Sequence, residues 1–240
     1  MNIVHLCDCM DHMKTLPDKH YDLAICDPPY GIGLDMMKNG AHGKKQKKKD
    51  YPCLHKMKSW NDNSPTAEYF EEVQRITKEQ IIWGCNYYAQ HISAVGRIYH
   101  DKQTGYEETK INFSHGDLAS CSLQKRITIF RYRWSGNKQG DTINWDNKGI
   151  DARIHPTQKP VALYKWLLQN YAKPGQTIFD SHVGSGSIRI ACHDMGFSFE
   201  GCELDPDYWK AQEERFQAHI KQDELFEKSE LQESIFGGNA

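Results

Sequence analysis

A chain of 240 residues, 38% hydrophobic and 11% aromatic, can enclose one α/β core with one modest insertion, and is too rich in both classes to be wholly disordered. No apolar run approaches the roughly 20 residues of a bilayer span, and Met1-Asn2-Ile3-Val4-His5 lacks the basic-then-apolar pattern of a secretion signal, so a soluble intracellular protein with no membrane partner is expected. The net charge of −2 conceals a separation: lysines crowd the stretch from Lys38 to Lys58, with Lys44, Lys45, Lys47, Lys48 and Lys49 nearly contiguous, while the segment from Glu213 to Glu233 is acidic.

In chain order, Ile3–Leu6 reads as a short strand and Tyr21–Cys26 as a buried strand that must stop at Asp27, because two prolines follow. Residues 31–64 carry Gly, Lys, Asn and Asp with little periodicity and read as a mobile basic loop. Tyr69, Phe70, Val73 and Ile76 recur at helical spacing and predict a helix over 66–77. Gln80–Trp83 is a further buried strand ending at Gly84, followed by a short helix near Tyr87–His91. Residues 97–153 read as an insertion built on the main sheet: Ile98–His100 and Ile127–Tyr132 have strand character with polar turns between them, and 135–153 is rich in Gly, Asn and Asp. Pro160–Tyr171 reads as a helix with Pro160 at its first position, Thr177–Phe179 as a strand ending at Asp180, and Ser185–Met195 as a helix capped beyond by Gly196. Phe197–Cys202 is a strand ending at Glu203, and Asp205 caps a helix to about Ile220. The acidic tail, 222–240, reads as frayed. Strands alternating with helices imply one domain of doubly wound, mainly parallel α/β type, which binds ligands outside the carboxyl ends of its strands; Asp27, Gly84, Asp180 and Glu203 all fall there.

Four motifs carry chemistry. In Asp27-Pro28-Pro29-Tyr30, the Asp27 side chain and the Pro28 carbonyl form a pair of acceptors stiffened by proline. Such a pair can hold an exocyclic nucleobase amine, turn its lone pair outward and stabilise positive charge developing on nitrogen. Tyr30 offers a face for an extruded base, worth roughly 1–3 kcal/mol. Read alone, the tetrad is a strand with a proline turn. Asp180-Ser181-His182-Val183-Gly184-Ser185-Gly186-Ser187 is a strand, glycine turn and helix start suited to an amino-acid end, with Asp180 for an ammonium and the helix terminus for a carboxylate; an unliganded tight turn is the alternative. Glu203, with Leu204 after it, stands where dinucleotide folds bind ribose hydroxyls, though alone it is a surface acid. His155-Pro156-Thr157-Gln158-Lys159-Pro160 by itself is a polar loop before a helix. Four of the eight cysteines, Cys26, Cys85, Cys192 and Cys202, sit in apolar stretches as buried thiols do; Cys7 and Cys9 lack a second pair at zinc spacing, and no metal site is expected.

Taken together these residues resemble the amino-group DNA methyltransferases. The tetrad at 27–30 looks like their catalytic motif in the form usual for adenine. The stretch 155–160 looks like the cofactor motif before the glycine loop, 179–187 like that loop and Glu203 like its ribose carboxylate; Cys7-Asp8-Cys9 matches the place that holds the cofactor's adenine. With the catalytic motif first, the order resembles the circularly permuted β group. The likeness covers 3–30, about 80–90, and 155–209, and departs at Ser181-His182-Val183, where a proline run is usual. It implies a seven-stranded, mostly parallel sheet with a target-recognition insertion at 97–153. It also implies transfer of a methyl group from S-adenosyl-L-methionine to N6 of a flipped adenine in DNA, as in bacterial or phage restriction–modification, in the cytoplasm. Implied cofactor contacts are Asp8, Cys9, His155, Thr157, Lys159, Asp180, Gly184, Ser185, Gly186, Glu203 and Leu204, with Lys159 reaching either the cofactor carboxylate or a DNA phosphate. The lysines at 44–49, with Arg126, Arg131 and Arg133, are candidates for DNA phosphates, against a solvated loop. N4-cytosine methylation, RNA adenine methylation and a silent DNA-binding module stay open, as does monomer against homodimer.

Overall fold

The computed structural model describes residues 1–32, 64–103, 114–135, 138–140, 142–143 and 153–236. Its centre is an eight-stranded sheet of order β1-β11-β10-β2-β3-β5-β4-β6. The strands are β1 (Asn2–Leu6), β2 (Tyr21–Cys26), β3 (Thr77–Trp83), β4 (Gly96–Asp101), β5 (Gly116–Cys121), β6 (Ile127–Arg131), β10 (Thr177–Asp180) and β11 (Ser198–Glu203). Short strands β7 (Trp134–Ser135), β8 (Lys138–Gln139) and β9 (Thr142–Ile143) form a separate antiparallel sheet. The α-helices are α1 (Cys9–Lys14), α2 (Ala67–Ile76), α3 (Val161–Tyr171), α4 (Ser187–Asp194) and α5 (Pro206–Phe236), and the short helix expected near Tyr87–His91 is a single 3-10 turn, Ala89–His91.

The alternation along β2 explains the layering. Leu23 and Ile25 face a core completed by Leu163 and Leu167 of α3 and Ile188 and Ala191 of α4, whereas Ala24 and Cys26 face Phe70, Val73 and Ile76 of α2 and Met13 of α1. The α2 residues at helical spacing, Tyr69, Phe70, Val73 and Ile76, are all buried, as their periodicity predicts. Cys26, Cys85, Cys192 and Cys202 are buried free thiols, and burial pushes Cys26 up to about 12.

The sheet departs from the seven-stranded expectation. Within it β5 alone is reversed, antiparallel to both β3 and β4, while β6 adds to β4 in parallel. Strand β5 escapes the sequence reading because Gly116, Asp117 and Ser120 are poor strand formers. It forms because neighbours pair with both of its edges, and it begins at a glycine because a Cβ there would come 2.3 Å from the His100 carbonyl and 2.5 Å from the Tyr99 ring. Strands β4, β5 and β6 therefore extend the main sheet itself. The tail also differs: α5 is helical through Phe236 rather than frayed from Gln222, in keeping with the helix-forming Glu, Lys, Gln and Leu of that segment. Asp205 does cap it, accepting the Asp207 N–H at 2.9 Å. Pro160 stands at the N-cap of α3, one place before its expected position. No described helix is long and apolar enough to cross a membrane.

Candidate active site

Chain reversal sets the site. From β2 the chain passes through α2 to β3 on one side, and from β10 through α4 to β11 on the other, so the order of winding switches between the neighbours β10 and β2. A crevice opens outside the carboxyl ends at such a point. Here it is a cavity of about 390 Å³. Its wall includes Asp27 and Pro29 after β2, and Cys7, Asp8 and Cys9 after β1. His155, Thr157, Gln158 and Lys159 before α3 line it, as do Ser181 to Ser185 after β10, Glu203 at the end of β11 and Leu204 and Asp205 beyond it. Asp27 and Pro29 of the tetrad therefore share one chamber with Gly184 and Ser185 of the glycine turn. Pro28, Tyr30, Asp180 and Gly186 stand behind the wall.

The turn is built from backbone that glycine tolerates and other residues do not: Gly184 has φ +55°, and Gly186, the N-cap of α4, has φ +73°. Glu203 ties it to the next strand. Its Oε2 accepts the Gly184 N–H at 2.8 Å and its Oε1 the Asp205 N–H at 2.9 Å. Burial raises the Glu203 carboxyl above its ordinary range, partly offset by those N–H groups. Asp8 is the N-cap of α1 and accepts the Met10 N–H at 2.8 Å, and Cys9 is half-buried, its thiol pushed up to about 12 mainly by burial. The His155 ring meets Tyr208 edge-on at 4.4 Å, and the Trp134 indole N–H donates to the Gln158 carbonyl at 2.7 Å, binding this loop to β7.

Asp27 is held by two donors. The Tyr30 hydroxyl donates to Oδ1 at 2.7 Å and the Lys159 ammonium to Oδ2 at 2.5 Å. The Tyr30 ring is stacked on Tyr87 at 4.8 Å and 18°, and burial, then the Asp27 charge, raises its hydroxyl well above the ordinary value. Lys159 thus faces the tetrad. Sequence reasoning missed Asp117, Tyr87, Tyr164 and His182 here. Asp117 is pushed up by burial, but Lys159 and Lys102 outweigh that and hold it below its ordinary value. His182 is pushed down to about 4 by burial, and its Nδ1 is 2.8 Å from the Ser181 hydroxyl. Its place in the glycine motif was legible; its burial was not.

Asp180 is 1% exposed, and burial pushes its carboxyl from 3.8 up to about 8; the His182 N–H opposes this, and the Asp27 and Glu203 charges add to it. A folded value above the unfolded one contributes stability that is complete below about pH 4 and lost as pH rises through about 8. Asp180→Asn is accordingly expected to gain on the wild-type protein across that window, by on the order of a few kcal/mol. Chemical denaturation of both proteins from pH 4 to 9 checks this: a difference independent of pH would reject it.

Of the candidate phosphate contacts, Lys44, Lys45, Lys47, Lys48 and Lys49 lie outside the described residues. Arg126, Arg131 and Arg133 are exposed, and the Arg131 guanidinium lies 3.6 Å from the Asp101 carboxylate.

Comparison with known proteins agrees with this fold. M.HpaI of Haemophilus parainfluenzae, a type II methyltransferase, is 24% identical over 242 residues, covering 87% of this chain and 72% of its own. Two solved structures share the fold. The M1.HpyAVI–SAM complex has a TM-score of 0.54 at 15% identity, over 90% of this chain and 100% of that one. The cytosine-N4-specific PvuII DNA methyltransferase has a TM-score of 0.56 at 11% identity, over 90% and 86%. The family described as DNA methylase matches residues 82–214, more than half of the sequence. The chain belongs to this N6/N4 family of DNA methylases.

Proposed function

We propose that this DNA methylase transfers a methyl group from S-adenosyl-L-methionine to N6 of an adenine flipped out of DNA. The observation that carries the reading is the shared cavity: the Asp27 carboxylate lines the same chamber as Gly184 and Glu203. The chamber also suits a cationic cofactor. Asp8, Asp27, Glu203 and Asp205 line it, and Asp180 lies buried beneath with its carboxyl already raised to about 8. Positive charge relieves that crowding of acids.

When bound, S-adenosyl-L-methionine supplies an electrophilic methyl group on a sulfonium. The chain's own part is to hold and to orient. Glu203 takes the ribose, and Asp8 and Cys9 the cofactor's adenine. His155, Thr157, Ser185 and Leu204 enclose it, and the turn at Gly184 takes the methionine end, backed by Gly186 and the buried Asp180. Asp27 and the Pro28 carbonyl would accept the two N–H bonds of the target amine and steady the charge that grows on nitrogen as its C–N bond forms and the S–CH3 bond breaks; the sulfur would leave as a neutral thioether and the surplus proton would pass to water. Each carboxylate oxygen has two acceptor positions, so Asp27 can serve the amine while keeping Tyr30 and Lys159. Tyr30 and Pro29 shape the base-binding side. Exposed Arg126, Arg131 and Arg133, with the lysines at 44–49, meet DNA phosphates.

Asp27-Pro28-Pro29-Tyr30 favours adenine over cytosine by its likeness to the adenine form of the motif, and its position before the glycine loop favours the permuted β arrangement. Incubating the protein with labelled cofactor and, in separate reactions, unmodified DNA and unmodified RNA, then mapping modified bases singly, is expected to reveal N6-methyladenine in the DNA. N4-methylcytosine would replace the reading with its nearest rival, label in RNA alone with the second, and cofactor binding without transfer to any nucleic acid would end it.

A further inference from the structure

Lys159 stands in an unusual place for a lysine. It directly precedes Pro160, the N-cap of α3, where the helix dipole disfavours a cation. Only 5% of its side chain is exposed, against 16% for Asp27. The ammonium nevertheless has every compensation a buried charge needs. It donates to Asp27 Oδ2 at 2.5 Å and to the Tyr30 hydroxyl at 3.2 Å, and sits 5.3 Å from the Trp83 ring centroid. Its charge is also felt by two carboxyls further back, Asp117 and Asp180, both of which it lowers.

Resting on the proposed methyl transfer, we propose that Lys159 is a positioning residue for Asp27: with Tyr30 it pins the two carboxylate oxygens, so that their free acceptor positions point at the incoming amine. An aspartate carboxyl rotates through a broad torsional well when nothing holds it. Here one donor fixes each oxygen, Tyr30 at Oδ1 and Lys159 at Oδ2, and the two donors are tied to each other at 3.2 Å, so that together they hold the carboxylate edge in one orientation. Tyr30 is itself fixed by stacking on Tyr87, and the lysine by its seat beside Trp83. A ligand entering the chamber therefore meets a carboxylate of set orientation. The ammonium is the less exposed of the two and already neutralised, which argues against a first duty toward a cofactor carboxylate or a DNA phosphate.

The three duties separate in one experiment on the full chain. Lys159→Met and Lys159→Arg are compared with wild type by single-turnover methyl transfer at saturating DNA and S-adenosyl-L-methionine, by calorimetry with the cofactor, and by DNA binding over a salt series. Positioning predicts a transfer rate lower by about 100-fold in Lys159→Met, cofactor and DNA dissociation constants within about threefold of wild type, an unchanged salt slope, and recovery of at least about tenfold in rate with Lys159→Arg. It also predicts that Tyr30→Phe and Lys159→Met are less than additive in rate, since both act through Asp27. An unchanged rate, a loss confined to cofactor affinity, or a shallower salt slope with normal turnover overturns the inference. If Lys159→Met does not fold, Lys159→Arg against Lys159→Gln decides: rates falling from Lys through Arg to Gln support it, and equal rates overturn it. An inactive wild-type protein removes the methyl-transfer reading and the inference with it. An active wild type with an equally active Lys159→Met removes the inference alone.

Discussion

Asp27→Ala is expected to lower methyl transfer by about 100- to 1,000-fold while leaving S-adenosyl-L-methionine binding within a few-fold of wild type. The rate follows from losing a preorganised acceptor at the point where positive charge develops, a kind of loss that costs about 100- to 1,000-fold when one comparable donor is removed from an oxyanion hole. Binding survives because Gly184 and Glu203 are anchored to one another and to Asp205, with no contribution from Asp27. The variant has a second expected effect. Removing the carboxylate leaves the Lys159 ammonium, 5% exposed, without its closest counter-charge, at a cost of roughly 3 kcal/mol. Asp27→Asn, which keeps an acceptor for Lys159, should melt higher than Asp27→Ala and be nearly as inactive. Turnover of either variant close to wild type, with intact folding, would remove Asp27 from the chemistry.

Gly84→Ala is expected to cost roughly 2–4 kcal/mol in stability and to slow transfer by about 100-fold. Gly84 has φ +74°, which a Cβ opposes, and the added methyl would overlap the Tyr30 ring and lie 2.7 Å from the Tyr88 hydroxyl oxygen. Tyr88 cannot yield easily, because it is buried and its hydroxyl donates to the Trp83 carbonyl. Tyr30 must move instead, and with it the bond that fixes Asp27 Oδ1; displacement of a positioned group by about 1 Å can cost that much in rate. Gly175→Ala supplies the control. Its φ is +86°, yet no atom lies within 4 Å of the added Cβ, so it should lose only about 1 kcal/mol of backbone strain and no activity. Urea melts and single-turnover rates for both variants check the pair. Equal behaviour would show that strain alone, and not the contact with Tyr30, sets the effect.

The parallel half of the fold was legible because its signals are local. Pro28 and Pro29 stop β2 at Cys26, glycines mark the turn after β10, and the spacing of Tyr69, Phe70, Val73 and Ile76 is that of a helix with one buried face. The residues that line the chamber follow from where such strands end. What stayed hidden depends on distant partners. Strand β5 has weak local preference and exists because β3 and β4 flank it. Since it runs backwards, its beginning reaches the active rim, which brings Asp117 near Lys159; no spacing in the sequence announces that. The partner of Lys159 was hidden for the same reason, since 132 positions separate it from Asp27 along the chain. The Tyr30–Tyr87 stack likewise joins two loops by a contact across strands, whereas the tetrad alone suggests an aromatic ring free for a base.

The reversal of β5 has a consequence for how such a protein can diversify. With every other strand of the main sheet pointing the same way, the long connections after β2, after β4 and after β6 all spring from the side that bears Asp27. Doubling the length of a flexible connection adds only about 0.6 kcal/mol of closure entropy, and strand register need not follow. Chimaeras exchanging one of these connections at a time are thus expected to keep the sheet, with urea melts close to that of the parent chain.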